Sequence, residues 1–109
     1  MTPEECAQGQ LEAYNAHDTE RFCSYFSTDV VVLDGHTGEI LFEGMDEFKK
    51  RYDERFVHKE LHCTLVNRMV QENIVIDQES VVGLDPNEVT HAIAIYHVRD
   101  QKIVRVVFY

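Results

Sequence analysis

Apolar positions recur at helical spacing through the first half of the chain and alternate through the second. Thr2-Pro3-Glu4-Glu5 is a helix start: Thr2 can cap, Pro3 suits the first helical position and Glu5 completes a capping box. The helix is expected to run through Leu11 and Tyr14 to about Ala16, with Gly9 a weak point inside it. A second helix is predicted from Thr19 to Phe26, with Phe22, Tyr25 and Phe26 as its apolar stripe. Val30-Val31-Val32-Leu33 is β-branched and reads as a strand. Asp34-Gly35-His36-Thr37-Gly38 has the residues of a turn, and Glu39 to Phe42 returns as the hairpin partner. Asp46 is positioned to cap a third helix from Glu47 to about Val57, with Phe48, Tyr52 and Phe56 facing inward.

The second half reads as strands throughout: Leu61–Gln71, Ile74–Gly83, Val89–Val98 and Ile103–Tyr109. The order α-α-β-β-α-β-β-β-β predicts one α+β domain over residues 1–109, with three helices packed on one face of a curved, mostly antiparallel sheet and a hollow between the layers.

Composition narrows the partners. The formal net charge is −10 and the few basic residues form no run, which disfavours nucleic acid and anionic membrane surfaces. No stretch approaches the roughly 18 apolar residues of a membrane span. The acidic start, Met1-Thr2-Pro3-Glu4-Glu5, is unlike a secretory leader, and Cys6, Cys23 and Cys63 suit free thiols in a reducing cytoplasm. His58 and His62 fall where a helix gives way to a strand, and His91 and His97 lie about 20 Å apart along one strand at roughly 3.3 Å per residue. Neither pair can chelate one ion, and there is no phosphate-binding glycine loop, so neither a metal nor a cofactor is expected.

The element order, the run Leu11-Glu12-Ala13-Tyr14-Asn15-Ala16-His17-Asp18 and the Phe-rich turn after it resemble the nuclear-transport-factor-2-like superfamily, which includes steroid isomerases and SnoaL-like polyketide cyclases. Asn67-Arg68, Val75-Ile76-Asp77-Gln78-Glu79 and Ile95-Tyr96-His97-Val98-Arg99-Asp100 look like an uncharacterised bacterial branch of steroid-isomerase-like domains. The resemblance implies a cystatin-like cone around a pocket for a small organic molecule. It places the isomerase's catalytic tyrosine at Gln10, its general-base aspartate at Asp34 and its oxyanion-hole aspartate at Ala94. One of the three is present, and an alanine cannot donate to a developing oxyanion, so that machinery does not carry over.

A two-residue turn at Glu72-Asn73 would set Arg68 opposite Asp77, Val70 opposite Val75 and Val66 opposite Glu79. Pairing Val82 with Val89 then sets Asp77 beside Ala94 and Glu79 beside Ala92. The inward face would carry Arg68, Asp77, Glu79, Ala92, Ala94 and Tyr96, with His62 sharing the parity of Arg68 and Cys63 facing out. Two readings follow. In one, Asp34 is a general base with a raised pKa, Asp77 and Glu79 are acid–base or orienting groups, and Arg68, Tyr14, His62 and Tyr96 bind a ligand for which small Ala92 and Ala94 leave room. In the other, Arg68, Asp77 and Glu79 are a structural ion cluster and the chain only binds a ligand or dimerises. The opposite face, with Met69, Ile76, His91, Ile93, Ile95 and His97, is too apolar to stay in water and is expected to form a two-fold homodimer.

Overall fold

The computed structural model describes residues 1–109. Its elements are α1 (Pro3–Asn15), α2 (Thr19–Cys23), β1 (Phe26–Asp34), β2 (Ile40–Glu43), α3 (Met45–Arg55), β3 (His62–Gln71), β4 (Ile74–Asp85), β5 (Glu88–Arg99) and β6 (Lys102–Phe108). They form a six-stranded sheet in the order β2-β1-β6-β5-β4-β3. Every pairing is antiparallel except β1 with β6. This is the α+β cone that the element order predicted.

Local chemistry explains most boundaries. The Glu5 amide donates to Thr2 Oγ1 at 3.1 Å and the Thr2 amide to Glu5 Oε1 at 2.8 Å, which completes the capping box of α1. Gly9 sits beneath the Tyr25 ring, and a Cβ there would lie 2.3 Å from Tyr25 Cε1, so the helix tolerates a poor helix former in order to pack. Asp18 caps α2 by accepting from the Arg21 amide at 3.0 Å.

Two boundaries differ from expectation. The second helix stops at Cys23, and Phe26 begins β1, where it pairs with Ile103 of β6. The parallel ladder with β6 outweighs the helical spacing of the phenylalanines. At α3 the N-cap is Gly44, at φ 84, with no side-chain cap; Asp46 lies inside the first turn, where it favours the positive end of the helix dipole.

The alternating faces of the sheet separate cleanly on β4, where Val75, Asp77, Glu79 and Val81 are buried. Register follows expectation around the Glu72-Asn73 turn: Arg68 faces Asp77, Val70 faces Val75, Asp77 faces Ala94 and Glu79 faces Ala92. It fails at Val66. A bulge between Leu65 and Asn67 puts Leu65, not Val66, opposite Glu79 and leaves Val66 exposed. One extra residue inverts the faces of the strand beyond it, so Cys63 turns inward and His62 outward. At the last hairpin, Asp100 (φ 52) and Gln101 (φ 63) both adopt the left-handed region of a two-residue turn. Arg105 then pairs with His97 and is exposed on the outer side.

The helices meet the sheet through packed aromatic rings. Phe22 lies 4.6 Å from Tyr52, Phe26 4.5 Å from Phe48 and Phe48 4.7 Å from Tyr52, centroid to centroid. Asn15 clasps β3: its Nδ2 donates to the Cys63 carbonyl at 2.9 Å and its Oδ1 accepts from the Cys63 amide at 2.8 Å. His17 Nε2 contacts the Leu61 carbonyl at 2.7 Å. No helix is long and apolar enough to cross a membrane. Phe22 is 2% exposed at the centre of the aromatic cluster. Phe22→Ala should therefore lower unfolding free energy by about 3–5 kcal/mol, read from urea denaturation followed by circular dichroism.

Candidate functional site

Between the helices and the sheet lies a cavity of about 230 Å³. Its walls are mostly apolar: Leu11, Phe22, Phe26, Val81, Val106 and Phe108 contribute. The polar groups in the wall are Gln10 and Tyr14 of α1, Tyr52 and Arg55 of α3, Cys63 of β3, Glu79 of β4, and Thr90 and Tyr96 of β5. Exposed Leu84 and Thr90 mark its open end.

Glu79 is the carboxylate of this cavity. It is buried, and its pKa is pushed up to about 7, first by loss of solvent and then by the negative charge of Asp77. Hydrogen bonds from Cys63 and Tyr96 and the charge of Arg68 pull the other way. The Tyr96 hydroxyl donates to Glu79 Oε2 at 3.4 Å and accepts from Gln10 Nε2 at 3.2 Å. Burial, then the neighbouring carboxylates, hold Tyr96 well above its ordinary pKa, so it remains a neutral donor. Tyr14 is likewise pushed up to about 12 by burial. The Cys63 thiol is pushed up to about 12 by burial and by Glu79, which makes it a poor nucleophile.

Arg68 and Asp77 stand apart from the cavity, and neither contributes to its wall. Arg68 Nε donates to Asp77 Oδ1 at 2.7 Å and Nη2 to Oδ2 at 3.0 Å, a two-pronged pair. Its third contact runs from Nη1 to Gln8 Oε1 at 3.0 Å. Asp77 is 0% exposed. The pair joins β3 to β4, and the Gln8 contact ties it to α1.

Of the residues picked from the sequence, Tyr14, Glu79, Ala92 and Tyr96 line the cavity. Ala94 is fully buried between Asp77 and Phe108 on the neighbouring strands and does not reach the wall. Asp34 does not reach it either: its Oδ1 accepts from the amides of His36 at 2.8 Å and Thr37 at 3.3 Å, so the carboxylate shapes the turn. His62 is exposed on the far side because of the Val66 bulge. Polar lining residues that periodicity does not single out as site groups include Thr90 and Arg55, and Cys63, expected to face out, is turned inward by the bulge. The signal for Arg55 was available, since it lies one turn from inward-facing Tyr52 on the same helix. Nowhere do three His, Cys, Asp or Glu side chains converge as a metal site would require.

This architecture is the cystatin-like cone of the nuclear-transport-factor-2-like proteins. The SnoaL-like domain profile matches residues 7–106, and the chain belongs to that family. An uncharacterised cystatin-fold protein from Novosphingobium aromaticivorans superposes with a TM-score of 0.89 at 23% identity, covering 100% of this chain and 98% of that one. A protein from Kribbella flavida provisionally named a ketosteroid isomerase gives 0.82 at 15% identity, with 97% and 75% covered. A provisionally named polyketide cyclase from Sinorhizobium meliloti gives 0.79 at 17% identity, with 96% and 94% covered. A comparison with curated protein sequences returns no match.

The Arg68–Asp77 geometry yields a stability test. Arg68→Ala leaves a buried carboxylate without its cation and should cost about 3–5 kcal/mol in urea denaturation. Replacing both members, Arg68→Met with Asp77→Leu, should recover most of that loss. If the single variant costs under about 1 kcal/mol, burial of Asp77 does not depend on Arg68.

Proposed function

We propose that this SnoaL-like chain is a small-molecule pocket protein whose cavity carries out carboxylate acid–base chemistry without a cofactor, as an isomerase, lyase or cyclase. One observation carries the reading: Glu79 stands in an apolar cavity with a pKa near 7, half ionised at neutral pH and able both to take and to return a proton. Tyr96 would hydrogen-bond the carboxylate and Tyr14 a developing negative oxygen. The roles suggested for Asp34 and Asp77 pass to Glu79, because Asp34 is engaged in its turn and Asp77 by Arg68. The ketosteroid isomerase and polyketide cyclase names of structural neighbours agree with proton chemistry in such a cone and do not specify this chain's reaction.

The reading is testable without a substrate. Carbon-detected NMR of side-chain carboxyls should find one glutamate titrating near 7 that disappears in Glu79→Gln. A Glu79 midpoint below 5 would remove the basis for acid–base chemistry. The shift also sets a pH dependence of stability. The folded value lies above the ordinary 4.5, so folding favours the neutral form. The stabilisation is complete below about 4.5 and is lost as pH rises through about 7, a swing on the order of 3 kcal/mol. Glu79→Gln should therefore gain stability relative to wild type between pH 5 and pH 8.

A second copy of the chain is the partner we propose for the outer sheet face. Met69 is 59% and Ile93 40% exposed there, beside half-buried Ile76, Ile95 and His97, with His91 exposed. Burial, then the charge of Arg105 on the same face, lowers the pKa of His97. Light scattering on eluted protein should give twice the chain mass, and Ile93→Lys should give the monomer. A monomeric wild type at micromolar concentration would refute the dimer.

A further inference from the structure

Arg55 is the cation that stands apart in this molecule. Arg21, Lys49, Arg51 and Arg68 each pair with a carboxylate. The cations without one are exposed, except Arg55, which is half-buried and forms no ion pair. It is half-buried at the last position of α3, where the helix dipole favours a positive charge, and it lines the cavity. Its guanidinium lies 5.0 Å from the centre of the Tyr52 ring, which fixes its position. The Tyr14 hydroxyl lies against it. No buried polar atom of the protein lacks a partner, and the Tyr52 hydroxyl makes no hydrogen bond within the chain, so that oxygen is open to the cavity. Glu79 lines the same cavity without pairing to Arg55, so the cavity has a cationic wall and an acid–base wall with apolar side chains between them.

We infer that the ligand is a small organic acid whose carboxylate docks on Arg55 and whose apolar body lies between Phe22 and Val106, reaching Glu79. This rests on the reading of the cavity as the working site and adds the chemical class of what enters it. Burying a charge is costly unless it is paired, and here the missing partner comes with the ligand. The planar fork of arginine suits a carboxylate, and the Tyr14 and Tyr52 hydroxyls can reach its remaining lone pairs. A volume of about 230 Å³ is below the roughly 300–1,000 Å³ of drug-sized sites, which fits a body of one ring.

Phenylacetate and its neutral isostere phenylacetamide are the probes, measured by calorimetry at pH 7 and low salt on wild type, Arg55→Gln and Arg55→Lys. Phenylacetate should bind wild type about tenfold to a hundredfold more tightly than the amide, the ratio expected for one charge-assisted contact. Arg55→Gln should abolish that preference while the amide's affinity is unchanged, and Arg55→Lys should keep part of it. Equal binding of acid and amide to wild type overturns the inference, as does a preference that survives Arg55→Gln. Inorganic phosphate displacing phenylacetate at equal concentration would also overturn it, by making Arg55 a general anion site. So would failure of phenylacetate to bind at millimolar concentration. None of these outcomes touches the NMR titration of Glu79, so the ligand class and the acid–base reading fail separately.

Discussion

A single guanidinium placed between α1 and the sheet sets the electrostatics of the interior. Asp77 and Glu79 lie two residues apart on the buried face of β4, and both are withdrawn from water. Two ionised carboxylates so close in a low-dielectric interior are unfavourable, and one cation cannot satisfy both. Arg68 satisfies Asp77 with both prongs and spends its remaining contact on Gln8. Burial first, and then the repulsion of Asp77, outweighs the part of Arg68's charge that reaches Glu79, so Glu79 remains protonated to about pH 7. The charge of Asp77 in that pair thus adds to the burial that raises the pKa of Glu79. The ion pair is confined to Arg68 and Asp77, whereas Glu79 lines the cavity without a cationic partner.

The hydrophobic pattern made the fold legible because each long strand has a buried face at period two and the turns between strands are short. Arg68 opposite Asp77 and Glu79 beside Ala92 follow from counting outward from Glu72-Asn73. Counting stops being valid at Val66. A bulge has no strong signature in side-chain type, and Leu65-Val66 reads as uninterrupted strand, so His62 and Cys63 exchange faces without notice. The Asn15 clasp on the Cys63 backbone is the counterpart of that bulge, since it fixes where β3 must start. The motif Asn15-Ala16-His17-Asp18 is accounted for in the same way: Asn15 holds β3, His17 turns at φ 54 to contact Leu61, and Asp18 caps α2. None of the four lines the cavity.

Site residues were less legible than register, for two physical reasons. Asp34 sits where a family comparison places a base, but Asp-Gly in a hairpin also satisfies turn amides, and the amides of His36 and Thr37 claim this carboxylate. An arginine in the last turn of an amphipathic helix ordinarily belongs to solvent, so spacing alone does not single out Arg55. Its role shows only when the neighbouring carboxylates are located and none is within reach. A charge's significance lies in its pairing, which is a property of tertiary structure.

The backbone at Gly83 shows how narrowly the mouth of the cone is constrained. The residue has φ +90, and a Cβ there would lie 2.5 Å from the Leu61 amide nitrogen, so any side chain would force apart the start of β3 and the end of β4. That contact closes the sheet next to Leu84, whose side chain stands at the rim of the cavity. The Cys63 backbone is held from the other side by Asn15. The rim is therefore set by backbone contacts, while the selectivity of the interior rests with a few side chains. Separation of a backbone-set rim from a side-chain-set interior is what allows one architecture to serve unrelated reactions.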